Sequence, residues 1–123
     1  MGALARDIMG GGTSAGQAKA INGRVASAVS AAGTTLATAT ALAATINRVT
    51  TVAAASGVRL FNGEIGDEME VYNGGANQLI VYPHAAAGTI NQLSAGTGMT
   101  LAQYTTCKYR RITSTVWTAH MSG

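Results

Sequence analysis

The side chains able to do chemistry in this chain are few and scattered. Four carboxylates, Glu64, Asp67, Glu68 and Glu70, form its acidic cluster. A hard cation such as calcium needs several oxygens converging on one point. On a strand starting near Asp67, Glu68 and Glu70 share one face while Met69 and Val71 take the other, which favours a solvated strand edge over a metal site. Residues 11–18, Gly-Gly-Thr-Ser-Ala-Gly-Gln-Ala, have the outline of a phosphate loop, but Gln17 replaces the lysine that would reach the phosphates and Ala18 the hydroxyl that would hold magnesium. A flexible hinge is the better account. His84 follows Pro83 at a turn and His120 lies near the C terminus, neither with the ligand spacing of a metal triad or a Gly-x-Ser-x-Gly nucleophile nearby. Cys107 is the sole cysteine, which excludes an intrachain disulfide and a cysteine-based zinc site, and its apolar neighbours make it a small core residue. No nucleophile–base pair and no ligand set stands out, so the expectation is a protein that is not an enzyme and needs no cofactor.

Charge is sparse. Lys and Arg number eight against five Asp and Glu, and charged residues make up only 11% of the chain. That is too dilute for a dedicated nucleic-acid binder, whose phosphate contacts need a dense basic stripe. The basic side chains suit contacts with a protein neighbour instead. Candidates are Arg6, Lys19 and Arg24 near the N terminus and Lys108, Arg110 and Arg111 near the C terminus. Lys108 and Arg110 fall on one face of a presumed strand, opposite Cys107 and Tyr109. Residues 25–46 are uncharged and long enough to span a bilayer, but they are mostly Ala, Thr and Ser around Gly33, which give little transfer energy, so no membrane partner is expected.

The elements that must position these groups are short and β-rich. Runs at 46–52, 57–60, 89–93, 99–103, 105–112 and 115–119 are β-branched or aromatic, and 35–42 alternates Thr with Ala or Leu. Residues 68–72 and 78–82 flank Asn73-Gly74-Gly75-Ala76-Asn77, and the spacing predicts a hairpin. Many short strands with regular turn signals predict an all-β fold, a short-stranded antiparallel sandwich or barrel of jelly-roll type. No tandem repeat of fixed period is visible. The division expected is an N-terminal arm over 1–32 and a β module over 33–123. In the arm, Ser14 and Gln17 match a capping box and Ile21, Val25 and Val29 recur at intervals of four, which supports a short helix, while residues 25–29 equally fit an extended segment. The first 56 residues rely heavily on Ala, whose burial contributes little at about 25 cal/mol per Å². A monomer of this composition is expected to be marginal, and association to supply the missing burial.

An ordered series of motifs resembles a family of small bacteriophage virion proteins, variously head-decoration, head-fibre or spike domains. The matching residues are Ala31-Ala32-Gly33-Thr34-Thr35, Ala39-Thr40-Ala41-Leu42, Val49-Thr50-Thr51-Val52, Gly57-Val58-Arg59-Leu60, Gly66-Asp67, Asn73 to Asn77, Val81-Tyr82-Pro83, Gly88-Thr89-Ile90-Asn91 and a Trp near the end. Phe61 departs from the pattern, which tends to have proline there. The resemblance implies a β-rich, often trimeric module on the outside of a phage head, assembled in the host cytoplasm, with the major capsid protein as its partner. Within it, a capsid decoration (cement) protein is expected first. A head fibre or spike that binds host carbohydrate is the alternative, with Tyr72, Tyr82 or Trp117 as stacking platforms.

Overall fold

Among the described residues, five of the eight strand pairings are parallel, and they stack one coil above the next. A computed structural model describes residues 24–122. Ten strands follow in order: β1 (Val25–Ser30), β2 (Thr40–Ala41), β3 (Ile46–Thr51), β4 (Gly57–Arg59), β5 (Glu68–Asn73), β6 (Leu79–Tyr82), β7 (Thr89–Ile90), β8 (Met99–Leu101), β9 (Thr106–Arg111) and β10 (Val116–Ser122). They form a six-stranded sheet in the order β1-β3-β5-β9-β10-β7 and a four-stranded sheet in the order β2-β4-β6-β8. The chain crosses from the larger sheet to the smaller once per coil, giving a β-solenoid of about four turns.

This corrects the expected antiparallel sandwich or barrel. The all-β character stands, and there is no helix among the described residues. The alternation of apolar and polar residues is the same in a solenoid rung as in a sandwich strand, since both bury one face. What differs is the partner. β1 pairs with β3 and β3 with β5, both in parallel, and β2, β4 and β6 repeat this on the other face. Val25 stacks on Ile46 and Ile46 on Glu70, steps of 21 and 24 residues. Thr40 stacks on Val58 and Val58 on Val81, steps of 18 and 23. Coils of unequal length leave no fixed period to see in the sequence.

The expected hairpin between 68–72 and 78–82 is also absent, because β5 and β6 lie in different sheets. The Asn73–Asn77 link is a corner of the solenoid. Asn73 turns inward and is fully buried. Its Nδ2 donates to the Asn77 carbonyl (2.9 Å) and the Leu101 carbonyl (2.8 Å), and its Oδ1 accepts from the Gly75 N–H (3.0 Å). Asn77 then donates to the Val52 carbonyl of the coil below (2.9 Å). A corner that must stack on its neighbour needs such ties for backbone groups that no ladder satisfies.

The antiparallel hairpin of the fold is β9–β10 instead. It is inserted into the large sheet between the third rung, β5, and the fourth, β7. Its inward side chains, Cys107, Tyr109 and Trp117, join Val49, Val71, Ile90 and Met69 from the same sheet. Val58, Val81, Leu79 and Leu101 face them from the smaller sheet. Each such Val or Leu contributes about 1.5–3 kcal/mol by leaving water. β1, which the sequence places within the arm, is the first rung of the solenoid, and its Val29 packs against this core. The capping box at Ser14 and Gln17 and the glycine-rich loop lie outside the described residues.

Candidate docking face

The outer face of the six-stranded sheet gathers half of the charged side chains of the described residues: Arg48, Glu68, Glu70, Lys108 and Arg110. Strand alternation sends Cys107 and Tyr109 inward and leaves Lys108 and Arg110 exposed. The registers then align three rows across the sheet. One runs Val25, Ile46, Glu70, Lys108, His120 from β1 to β10. A second runs Glu68, Arg110, Thr118, and a third Arg48, Tyr72, Thr106. The middle row is apolar at its β1 end, where Val25 is 61% and Ile46 41% exposed, and basic at its β10 end. Lys108, Arg110, Thr118 and His120 surround a shallow depression there.

Arg110 is bound to Glu68 through an ion pair of 2.5 Å across β9 and β5, with both side chains at the surface. In water such a pair contributes little to stability, on the order of 0–1 kcal/mol. It sets side-chain direction more than energy. Lys108 stands opposite Glu70 in the next row, so the centre of the face alternates in sign.

Arg111 does not join Lys108 and Arg110. It shares the inward parity of Cys107 and Tyr109 and is only 7% exposed. Its guanidinium donates to the Asn62 Oδ1 (2.8 Å), the Gly63 carbonyl (2.7 Å), the Ser114 carbonyl (2.6 Å) and, through Nε, the Thr113 carbonyl (3.3 Å). Dipoles of the chain itself thus solvate the buried cation. As a contact for a neighbour it drops out, leaving Lys108 and Arg110, and strand parity is the signal that separates them.

The remaining candidates are placed as follows. Arg24 is exposed at the start of β1, while Arg6 and Lys19 lie outside the described residues. The four carboxylates do not converge: Asp67 accepts the Glu64 N–H (2.7 Å) in a turn, and Glu68 and Glu70 face the basic strand. No group of three metal-ligating side chains occurs among the described residues. Cys107 is fully buried as a free thiol, and burial pushes its pKa up. The Tyr109 hydroxyl beside it is buried without a hydrogen-bond partner, and its pKa is driven well up, first by burial and then by the thiol.

Sequence alone placed His84 at a turn but gave no sign of its partners. Its Nδ1 accepts the Trp117 indole N–H at 2.9 Å, and its Nε2 lies 3.3 Å from Arg111 Nη2. The pKa of His84 is lowered, chiefly by burial and then by the Arg111 charge. Of the three aromatic platforms, Trp117 is fully buried and Tyr82 nearly so, with its hydroxyl donating to the Thr34 carbonyl (3.1 Å); Tyr72 alone lies on the outer face. No helix among the described residues is long and apolar enough to cross a membrane. Comparison with protein-family models, curated proteins and solved structures finds no match for this chain.

Proposed function

We propose that the protein is a structural component of a bacteriophage particle, a decoration protein that lies on the outside of the head and bridges major capsid subunits. The observation that carries this is the outer face of the large sheet, where an exposed apolar end and an alternating charged centre lie on one rigid surface. The resemblance of the ordered series of motifs in the sequence to small virion proteins points to the same assignment.

Its size sets the mode of binding. Six strands about 4.8 Å apart and about 20 Å long make a face on the order of 500 Å² in plan. A stable pairwise interface buries roughly 800 Å² per partner, so a single docked copy is held weakly. Repetition over a shell, and association of the copies into a homotrimer, turn weak contacts into durable coverage. The fibre alternative with a carbohydrate site is less well supported, since two of its three platforms are inside the molecule.

Purified protein added to heads stripped of their outer proteins tests this. Wild type should co-sediment with the heads and raise their melting temperature. The double variant Lys108→Glu, Arg110→Glu should fold and fail to bind. Equal binding of both proteins, or binding of neither, counts against the assignment.

A further inference from the structure

The large sheet ends unevenly on the side of β10. That strand runs over seven residues, but its outer neighbour β7 pairs only with Val116 and Trp117. Asn91 then takes a left-handed φ of 54° and the chain turns away, with the Leu93 N–H donating back to the Ile90 carbonyl (3.1 Å). On the other side, the ladder to β9 continues in regular register from Trp117 to Ser122 and holds this part of β10 extended. Successive residues of a strand direct their backbone groups to opposite sides. The Thr115 and Trp117 carbonyls accept from the N–H groups of Thr89 (2.7 Å) and Asn91 (2.8 Å), so the odd-numbered residues of β10 turn away from β9. Asn91 Oδ1 still reaches the Ala119 N–H (2.9 Å). Past that point the Ala119 carbonyl and the N–H and carbonyl of Met121 meet no partner strand among the described residues.

The side chains along this edge differ between its two faces. Thr118 and His120 stand on the outer face and, with Lys108, Arg110 and Ala119, bound the depression of about 310 Å³. Glu68 and Glu70, the carboxylates of this face, lie on β5, across β9 from the edge. On the opposite face Ala119 is half-buried and Met121 is 49% exposed. Open backbone groups thus run between a basic face and an apolar one. We propose that the β10 edge at Ala119 and Met121 is a strand-addition site for an extended acidic segment of a protein neighbour. Such a segment lies about 4.8 Å from β10 and bonds to the Ala119 carbonyl and to both backbone groups of Met121. Its side chains alternate between faces, carboxylates at the mouth of the basic depression and apolar groups beside Met121. A second copy added to the same edge about a two-fold axis would bring two basic depressions together, which charge disfavours. That the neighbour is a capsid subunit rests on the function proposed above; the site itself does not.

A fluorescein-labelled synthetic peptide of alternating glutamate and valine tests the site on the full-length chain, without phage heads. Wild type should bind it by anisotropy, and binding should slow exchange of the Met121 amide at least about tenfold. Met121→Pro removes an N–H that faces away from β9, so the fold should survive while affinity falls at least about tenfold. With the protein unaltered, the same peptide N-methylated at every peptide bond should bind at least about tenfold more weakly, as should one with glutamine in place of glutamate. No binding by wild type, undiminished binding of either altered peptide or by folded Met121→Pro, or an unprotected Met121 amide overturns the proposal. Failure of wild type to bind stripped heads bears on the proposed function alone.

Discussion

Arg111 and Trp117 are paired across β9 and β10, and both side chains end on the same imidazole. Both present N–H donors to His84, whereas a neutral histidine offers one lone pair. The shorter contact, Trp117 Nε1 to Nδ1 at 2.9 Å, assigns that lone pair to the indole and places the ring proton on Nε2. Arg111 Nη2 then faces Nε2 without bonding to it, and a second ring proton would both break the indole bond and set two cations against each other. The cluster ties the inserted hairpin to the corner after β6, next to the turn at Asn62 and Gly63.

His84 therefore makes stability depend on pH with a definite sign. Its folded pKa lies below the ordinary 6.5, because of burial and then the Arg111 charge. As pH falls through 6.5 the unfolded chain takes up a proton that the folded chain refuses, so stability declines until the folded pKa is passed and is level below it. Above 6.5 this contribution is fully present. Urea titrations between pH 8 and pH 4 should show the decline for wild type, and His84→Gln, which can still accept from Trp117, should lose that part of the slope. An unchanged slope in His84→Gln would refute the assignment.

Arg111→Lys should destabilise the protein by about 1–3 kcal/mol, because an ammonium cannot serve Asn62, Gly63, Thr113 and Ser114 at once and leaves a buried cation with fewer partners. Chemical denaturation reads this directly. A loss of less than about 0.5 kcal/mol would mean that the guanidinium bonds add nothing over water.

Two small-residue changes should act in opposite directions. A Cβ on Gly75 would sit 2.5 Å from Val52 Cγ2 and 2.8 Å from the Val52 nitrogen, so Gly75→Ala should cost about 1–3 kcal/mol. Ala55 is exposed and holds φ of 62°, a left-handed conformation that an L side chain disfavours. Ala55→Gly should therefore leave stability unchanged or raise it by up to about 1 kcal/mol. Thermal melts of both variants side by side test the solenoid corners at residues 53–56 and 73–77.

The Cys107 thiol should be inert in the native protein. Burial removes it from solvent and raises its pKa, which suppresses the reactive thiolate. Labelling with a disulfide reagent should be slower by on the order of 1,000-fold than in denaturant, following the opening equilibrium of β9. Rapid labelling under native conditions would place the hairpin outside the stable core.

Much of the local structure was legible in the residues. The β-branched runs at 46–52, 57–60 and 105–112 are strands, and parity alone separates Lys108 and Arg110 from Cys107 and Tyr109. The same count places Arg111 inside, although its charge argued for the surface. Pairing was not legible. Asn73–Asn77 has the composition of a hairpin turn, and nothing local reveals that Asn73 bonds to Leu101, 28 positions away. Val25 and Val29 have helical spacing, yet parallel pairing to β3 makes them strand residues, with an irregular register that breaks the period of two. The His84–Trp117 bond joins residues 33 positions apart and leaves no pattern in sequence. Coils of unequal length hid the solenoid itself.

The most direct test of the account is an electron cryomicroscopy reconstruction of the phage particle to which the proposed function assigns this protein. The account predicts copies on the outside of the head, over junctions between capsid subunits, with the face bearing Ile46, Glu70, Lys108 and Arg110 turned toward the shell. A particle without the protein, or copies whose large sheet faces solvent while another surface meets the shell, would contradict it.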